Sequence, residues 1–180
     1  YFREAKLLFE GRARHHRDPN YAQDLDLISE YKPSGNFLDV GTNMGFFLKQ
    51  AKNRGWSAYG LEPSPSLSEL ARKHLGLNVK TAYLENAGFE NSFFDVITMT
   101  DVFEHMPQPK KALTEASRVL KKDGIIFIKV PNGLFNILKL SLLKLTGKLK
   151  EYDIFDSTEH VVHYSQKTLS SMLKKFGFQI

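Results

Sequence analysis

The chain has 180 residues, 42% of them hydrophobic, and a formal net charge of +5. This length and apolar content predict one domain with a hydrophobic core. The absence of cysteine excludes disulfides, thiolate metal sites and cysteine nucleophiles, and favours a cytoplasmic protein. No apolar run approaches the roughly 20 residues that a membrane span needs. We interpret the positive charge as a solvated lysine surface, because no nucleic-acid motif accompanies it.

The first part of the chain predicts helix, strand and helix in turn. Residues 1–20 are polar and predict a helix and then a loop, and apolar residues at helical spacing extend that pattern over 21–32. The apolar run Asn36–Val40 predicts the first strand. It breaks into a turn with two glycines and resumes as a helix over 47–53, which ends at Arg54-Gly55.

Strands and helices continue to alternate after that turn. Further strands are predicted at 57–61, 78–80, 94–100 and 125–130. Ser66 is the predicted cap of one intervening helix, and Asp123-Gly124 closes another. This alternation across short links is typical of an α/β fold with a doubly wound, Rossmann-like, mostly parallel sheet and helices on both faces.

The alternation stops after the strand at 125–130. Residues 134–150 mix leucines with lysines at amphipathic spacing. A final helix capped by Ser165 or Thr168 follows, and residues 177–180 resemble the start of another strand. We therefore expect the C-terminal antiparallel strands to be missing, which leaves one sheet edge unfinished.

The glycine turn at residues 39–45 is a candidate ligand-binding element. Glycine allows a sharp turn and close approach of a ligand, and the following helix directs its first N–H groups at that ligand. The dinucleotide fingerprint requires glycine where this chain has Asn43 and Phe46, and no Gly-Lys-Ser/Thr follows for a phosphate-binding loop. Both of these nucleotide motifs are excluded.

Glu62 ends the second predicted strand about 20 residues beyond the turn, where a carboxylate is expected to bind ribose hydroxyls. A carboxylate accepts two hydroxyl protons at once and repels a 2′-phosphate. The position therefore predicts a ligand with a ribose and without a ribose phosphate.

Several segments in this order resemble the successive motifs of class I S-adenosylmethionine-dependent methyltransferases. They are residues 37–45, the strand end 60–62, residues 94–97 with 101–107, and residues 120–124. The tail resembles the small-molecule branch of that family in Pro131-Asn132, in residues 159–165 and in Phe176-Gly177-Phe178. The resemblance covers about residues 21–180, and it depends on the order and spacing of the motifs together.

The resemblance implies S-adenosylmethionine as methyl donor, with S-adenosylhomocysteine as product. The turn would hold the methionine part, Glu62 the ribose, the region after the third strand the adenine, and the end of the fourth strand the amino group or sulfonium. The implied cofactor-binding residues are Asp39, Gly41, Asn43, Gly45, Glu62, Pro63, Tyr83, Leu84, Glu85, Asp101 and Val102.

Two positions depart from the family's pattern. Asn43 replaces the middle glycine, which keeps a left-handed backbone accessible but adds a hydrogen-bonding amide. The acidic-plus-small pair expected at the adenine falls on Tyr83-Leu84, with Glu85 next. Tyr83 would then stack on the adenine, and the Leu84 backbone would serve a ring nitrogen.

Methyl transfer from a sulfonium needs alignment more than acid catalysis, and a general base only when the acceptor carries a proton. His105 and His160 are the candidate bases, with His163 as a weaker one. Asp101 with Glu104 and His105 has no diagnostic metal-ligand spacing, so we predict no metal site.

The resemblance divides the single domain into an N-terminal helical cap (1–33), a cofactor-binding core (34–132), an insertion or lid (133–163), and a last helix with the start of the next strand (164–180). Residues 134–150 are expected to cover the acceptor pocket. Alternatives for that stretch are contact with an anionic membrane surface or with a partner protein.

The predicted function is methyl transfer to a small-molecule acceptor, at oxygen, with no nucleic-acid partner. One alternative is a regulatory or scaffold domain that binds the cofactor without turnover, which Asn43 and Tyr83 favour. The other is RNA methylation, which only the basic residues at 12–17 favour.

Overall fold

The structure is a computed structural model that describes residues 7–10, 15–131 and 162–180. The predicted amphipathic stretch 134–150 and the candidate base His160 lie outside the described residues. Within the described part, no helix is long and apolar enough to cross a membrane.

Helices and parallel strands alternate along the described chain. The helices are α1 Asp18–Tyr31, α2 Phe46–Asn53, α3 Pro65–Leu75, α4 Pro109–Val119 and α5 Gln166–Lys175. The strands are β1 Asn36–Val40, β2 Ser57–Leu61, β3 Asn78–Lys80, β4 Phe94–Thr100 and β5 Leu120–Lys129. Short 3₁₀ turns occur at Leu84–Asn86 and Phe103–His105.

The five strands form one sheet in the order β3-β2-β1-β4-β5. β1 pairs in parallel with both β2 and β4, and β2 pairs in parallel with β3. The chain thus winds outward from β1 in both directions, which confirms the predicted α/β fold. In this order the first two strands lie side by side, and the residues that follow them reach the same edge of the sheet.

The chain divides into two compact units. The first unit comprises residues 1–99 and 118–127, and the second comprises residues 100–117 and 128–180. Each unit is described separately below.

The core of the first unit lies on the central strands. Phe37 and Leu38 of β1 and Val96 and Ile97 of β4 are fully buried, as expected for parallel strands that are covered on both faces. Each such side chain contributes about 1.5–3 kcal/mol of transfer free energy. This rigid centre positions the turn that follows β1.

The start of β5 differs from the prediction. The strand begins at Leu120, so Asp123-Gly124 lie within the strand and do not close α4. In this early part of the strand, the Lys121 ammonium lies 2.8 Å from the Asp95 carboxylate of β4. The apolar residues 125–128 are only half-buried, whereas the apolar residues of β4 are buried.

Helix caps correct one further prediction and confirm another. Ser64, and not Ser66, is the N-cap of α3, because Pro65 occupies the first helical position. For α5 the two predicted caps act together, since Ser165 is the N-cap and Thr168 completes a capping box. Residues 178–180 form no strand in the structure.

Candidate functional site

The turn between β1 and α2 is built from left-handed backbone. Gly41, Asn43 and Gly45 have φ values of 75°, 52° and 86°. The N–H groups of Gly41 and Thr42 both donate to the Leu61 carbonyl oxygen, at 2.8 and 2.9 Å. The turn is therefore fastened to the end of β2.

Gly45 is required by space as well as by backbone conformation. A Cβ at this position would lie 2.5 Å from Leu77 Cδ1 and 3.2 Å from Ala71 Cβ. Side chains of α3 and of the segment before β3 thus fill the volume behind the turn. A larger residue would require Leu77 to move and would strain the left-handed backbone at this position.

Glu62 is a buried carboxylate held by main-chain donors. Its side-chain oxygen Oε2 accepts the Asn43 N–H at 2.9 Å, and Oε1 accepts the Ser64 N–H at 2.9 Å. The residue is 7% exposed. Because each carboxylate oxygen can accept two hydrogen bonds, both oxygens keep one acceptor position for a ligand.

Asp39 is a second buried carboxylate, one strand away from Glu62. It is 4% exposed, and the Thr98 hydroxyl lies 2.9 Å from its Oδ1 and 3.2 Å from the Leu38 carbonyl oxygen. Burial raises the pKa of Asp39 to about 6, against the hydroxyls of Thr42 and Thr98, which favour the charged form. The negative charge of Glu62 adds to this rise.

Thr42 supplies an uncommitted polar atom at the same place. Its buried hydroxyl oxygen makes no hydrogen bond of ordinary geometry within the described residues, although its proximity to Asp39 favours the charged carboxylate. A buried hydroxyl without a partner is costly. This atom is therefore suited to receive a polar ligand group.

Tyr21, to which the sequence assigns no role in the site, lies within electrostatic reach of Asp39. The guanidinium carbon of Arg17 is 5.8 Å from the centre of the Tyr21 ring. Burial raises the pKa of the Tyr21 hydroxyl, the Arg17 charge lowers it, and the Asp39 charge raises it. A phenol thus lies near the Asp39 carboxylate, and a cation lies over that phenol. The i, i+4 spacing of Arg17 and Tyr21 is the signal for their contact in the sequence.

The predicted adenine residues differ in their exposure. Leu84 is 1% exposed, so its side chain belongs to the core, whereas Tyr83 is 54% exposed. Glu85 is exposed in the same 3₁₀ turn. Tyr83 therefore presents an open aromatic face, and only the backbone of Leu84 is available to a ligand.

The second unit carries the remaining described candidates. Asp101 has a φ of 52°, and its N–H donates to the Lys129 carbonyl oxygen at 2.8 Å. Val102 is half-buried and precedes the 3₁₀ turn that contains His105. The His105 side chain is 37% exposed.

Glu104 lies beside His105 within this unit and is 2% exposed. Its Oε1 is 4.0 Å from His105 Nε2, and its backbone oxygen accepts the Val162 N–H at 3.1 Å. Burial, and next the Glu104 charge, raise the pKa of Tyr164. Within the described ranges, no group of three histidine or acidic residues could hold a metal ion.

Comparison with known proteins identifies the family. Residues 13–180 match the family described as "Methyltransferase domain". The chain therefore belongs to the methyltransferase domain family, and its fold places it among the class I S-adenosylmethionine-dependent enzymes.

Three individual proteins show what the chain is similar to. The ubiquinone biosynthesis O-methyltransferase of Pasteurella multocida is 26% identical, over 78% of this chain and 67% of that protein. A crystal structure from Thermotoga maritima is described as a SAM-dependent methyltransferase and possible histamine N-methyltransferase. It is 25% identical with a TM-score of 0.66, over 89% of this chain and 72% of that chain. Phosphoethanolamine N-methyltransferase 2 of Haemonchus contortus, in complex with S-adenosyl-L-methionine, is 19% identical with a TM-score of 0.63, over 87% and 36%.

The chain is thus a methyltransferase that uses S-adenosylmethionine. This confirms the enzyme class and the cofactor predicted from the sequence. The roles of individual site residues remain predictions.

Proposed function

We propose that this methyltransferase acts on a small-molecule acceptor and transfers the methyl group to a hydroxyl oxygen. The similarity to the Pasteurella O-methyltransferase supports oxygen as the acceptor atom. The observation that carries the cofactor side of the proposal is the pair of buried carboxylates, Asp39 and Glu62, which end neighbouring parallel strands.

The residues at the ends of β1 and β2 fit the chemical groups of the cofactor. Glu62 keeps one acceptor position on each oxygen for the two ribose hydroxyls. Asp39 complements the ammonium of the methionine part, and Arg17 complements its carboxylate. The buried Thr42 hydroxyl satisfies its hydrogen bonding with the same amino acid group.

Further cofactor contacts follow from exposure and from the family motif. We assign the exposed Tyr83 ring to stacking on the adenine and the backbone of Leu84 to an adenine ring nitrogen. Asp101 and Val102 are assigned to the amino group or sulfonium. When bound, the cofactor supplies a methyl group on a sulfonium, whose departure requires no acid.

Removal of the acceptor proton is the step that this chain must provide when the acceptor is a hydroxyl. His105 is the described candidate, because its imidazole is partly accessible and lies beside the buried Glu104 carboxylate.

The acceptor atom is tested with methyl-labelled S-adenosylmethionine and two matched acceptors, a catechol and the corresponding aromatic diamine. We expect labelled O-methyl product from the catechol, and a His105→Gln variant that binds S-adenosylhomocysteine normally but turns over more slowly. N-methyl product alone would contradict the assignment to oxygen. Binding without turnover of a broad acceptor set would favour the scaffold alternative.

A further inference from the structure

Asn43 replaces a glycine of the family's turn and has both its backbone and its side chain fixed. Its φ of 52° is left-handed, a conformation that asparagine tolerates and glycine adopts more easily. Its backbone N–H donates to Glu62 Oε2 at 2.9 Å. Its side-chain oxygen Oδ1 accepts the Met44 N–H at 2.7 Å.

These contacts leave one end of the amide uncommitted. Because Oδ1 is held by Met44, the orientation of the amide plane is set before any ligand arrives. Nδ2 makes no hydrogen bond to another described residue, and the side chain is exposed. Asn43 thus keeps two Nδ2 hydrogens for a ligand, and its main-chain N–H is bonded to the carboxylate that holds the ribose in our proposal.

A ribose hydroxyl both donates and accepts hydrogen bonds. Glu62 can only accept, so it satisfies the hydroxyl protons and leaves the hydroxyl oxygens unused. The main-chain N–H of Asn43 donates to Glu62 Oε2 at 2.9 Å, so the side chain that carries the donor belongs to a residue in direct contact with the acceptor. A glycine at this position has no side-chain donor to offer.

We propose that Asn43 Nδ2 donates a hydrogen bond to one ribose hydroxyl oxygen of the cofactor. Asn43 as donor and Glu62 as acceptor then recognise the ribose together. The inference rests on the proposed cofactor site. Under this inference, Asn43 adds a contact with the cofactor and does not weaken cofactor binding. Asn43 therefore no longer supports the scaffold alternative.

The test is calorimetry of the full chain with S-adenosylhomocysteine and with its 2′-deoxy and 3′-deoxy analogues. Asn43→Gly should weaken binding of S-adenosylhomocysteine about fivefold. With the analogue that lacks the contacted hydroxyl, wild type and variant should bind equally. The fold should be kept, because glycine adopts this backbone readily.

Ser92 provides a matched control, since it is exposed and has the same φ of 52°. Ser92→Gly should leave binding of all three ligands unchanged, which separates a backbone effect from the loss of the amide. Equal or tighter binding by Asn43→Gly, or an equal loss with all three ligands, would overturn the inference. Failure of the wild type to bind S-adenosylhomocysteine would instead overturn the proposed cofactor site itself.

Discussion

Asp39 and Glu62 end neighbouring strands and are 4% and 7% exposed, yet the protein surrounds them differently. Glu62 accepts two main-chain N–H groups. Asp39 receives one threonine hydroxyl, and its pKa is raised by burial. Burial alone therefore does not define the chemistry of a carboxylate, because the donors around it do so as well. Two main-chain donors thus hold Glu62 as a hydrogen-bond acceptor, whereas the pKa of Asp39 is raised to about 6.

The largest effect is expected for Glu62→Gln. Glutamine offers one acceptor oxygen, so it cannot accept both main-chain N–H groups and both ribose hydroxyls. We expect affinity for S-adenosylhomocysteine to fall by about 100-fold or more, because hydrogen bonds to charged groups are the stronger ones. Calorimetry measures the loss.

Glu69→Gln is the matched control for this variant. Glu69 is an exposed acid of α3 that pairs with Lys73, so the control should bind like the wild type. Unchanged binding by Glu62→Gln would remove Glu62 from the site.

Asp39→Asn should weaken binding about tenfold and at the same time stabilise the free protein at pH 7.5. The raised pKa means that ionised Asp39 costs folding free energy above pH 6. The difference from 3.8 to about 6 corresponds to at most about 3 kcal/mol. Thermal unfolding and calorimetry on the same sample measure both changes.

A decrease in both stability and affinity would show that Asp39 is structural. Asp26→Asn, at an exposed acid paired with Arg54, serves as the control and should change neither quantity by much.

The pH dependence of binding should follow Asp39. Its folded pKa is above the unfolded value, so the stability it contributes is complete below pH 3.8 and is lost as pH rises through about 6. The ammonium of the cofactor binds ionised Asp39, so affinity for the cofactor rises with pH while the stability contribution of Asp39 falls. With about one tenth of Asp39 ionised at pH 5, we expect about tenfold weaker binding than at pH 7.5. A flat profile for wild type, or the same slope for Asp39→Asn, would contradict this assignment.

The smallest effect is expected for Thr98→Val, which keeps the shape but removes the hydroxyl 2.9 Å from Asp39. That hydrogen bond favours the charged carboxylate, so its loss should raise the pKa of Asp39 further. We expect the midpoint of the pH profile to move to higher pH and binding at pH 7.5 to weaken by about two- to threefold. An unmoved midpoint would show that the Thr98 hydroxyl serves only the Leu38 carbonyl.

A strand of this chain can be predicted from the sequence when its position depends on residues close together in the sequence. The bounds of β1, β2, β3 and β4 follow from apolar runs that end at glycines and polar turns, and all four match the structure. β5 begins at Leu120, earlier than predicted, and its Lys121 contacts Asp95, 26 positions away in sequence, a contact that no local pattern reports.

The candidate site residues also differ in whether local sequence or tertiary packing reveals them. Glu62 is predicted from its position directly after a strand, and Asp39 from the family motif that includes the end of β1. Arg17 is predicted only as part of a basic arm, because its contact with Tyr21 is seen in the structure. Leu84 is predicted to bind the adenine through its backbone; its side chain is buried in the core, and the role of the backbone stays a prediction.

The assignment of Asp39 and Glu62 to the cofactor is tested most directly by calorimetry of the wild-type chain with S-adenosylhomocysteine at pH 7.5 and pH 5. We expect one binding site per chain and about tenfold higher affinity at pH 7.5, where Asp39 is ionised. No binding at either pH by a protein that unfolds cooperatively would contradict it.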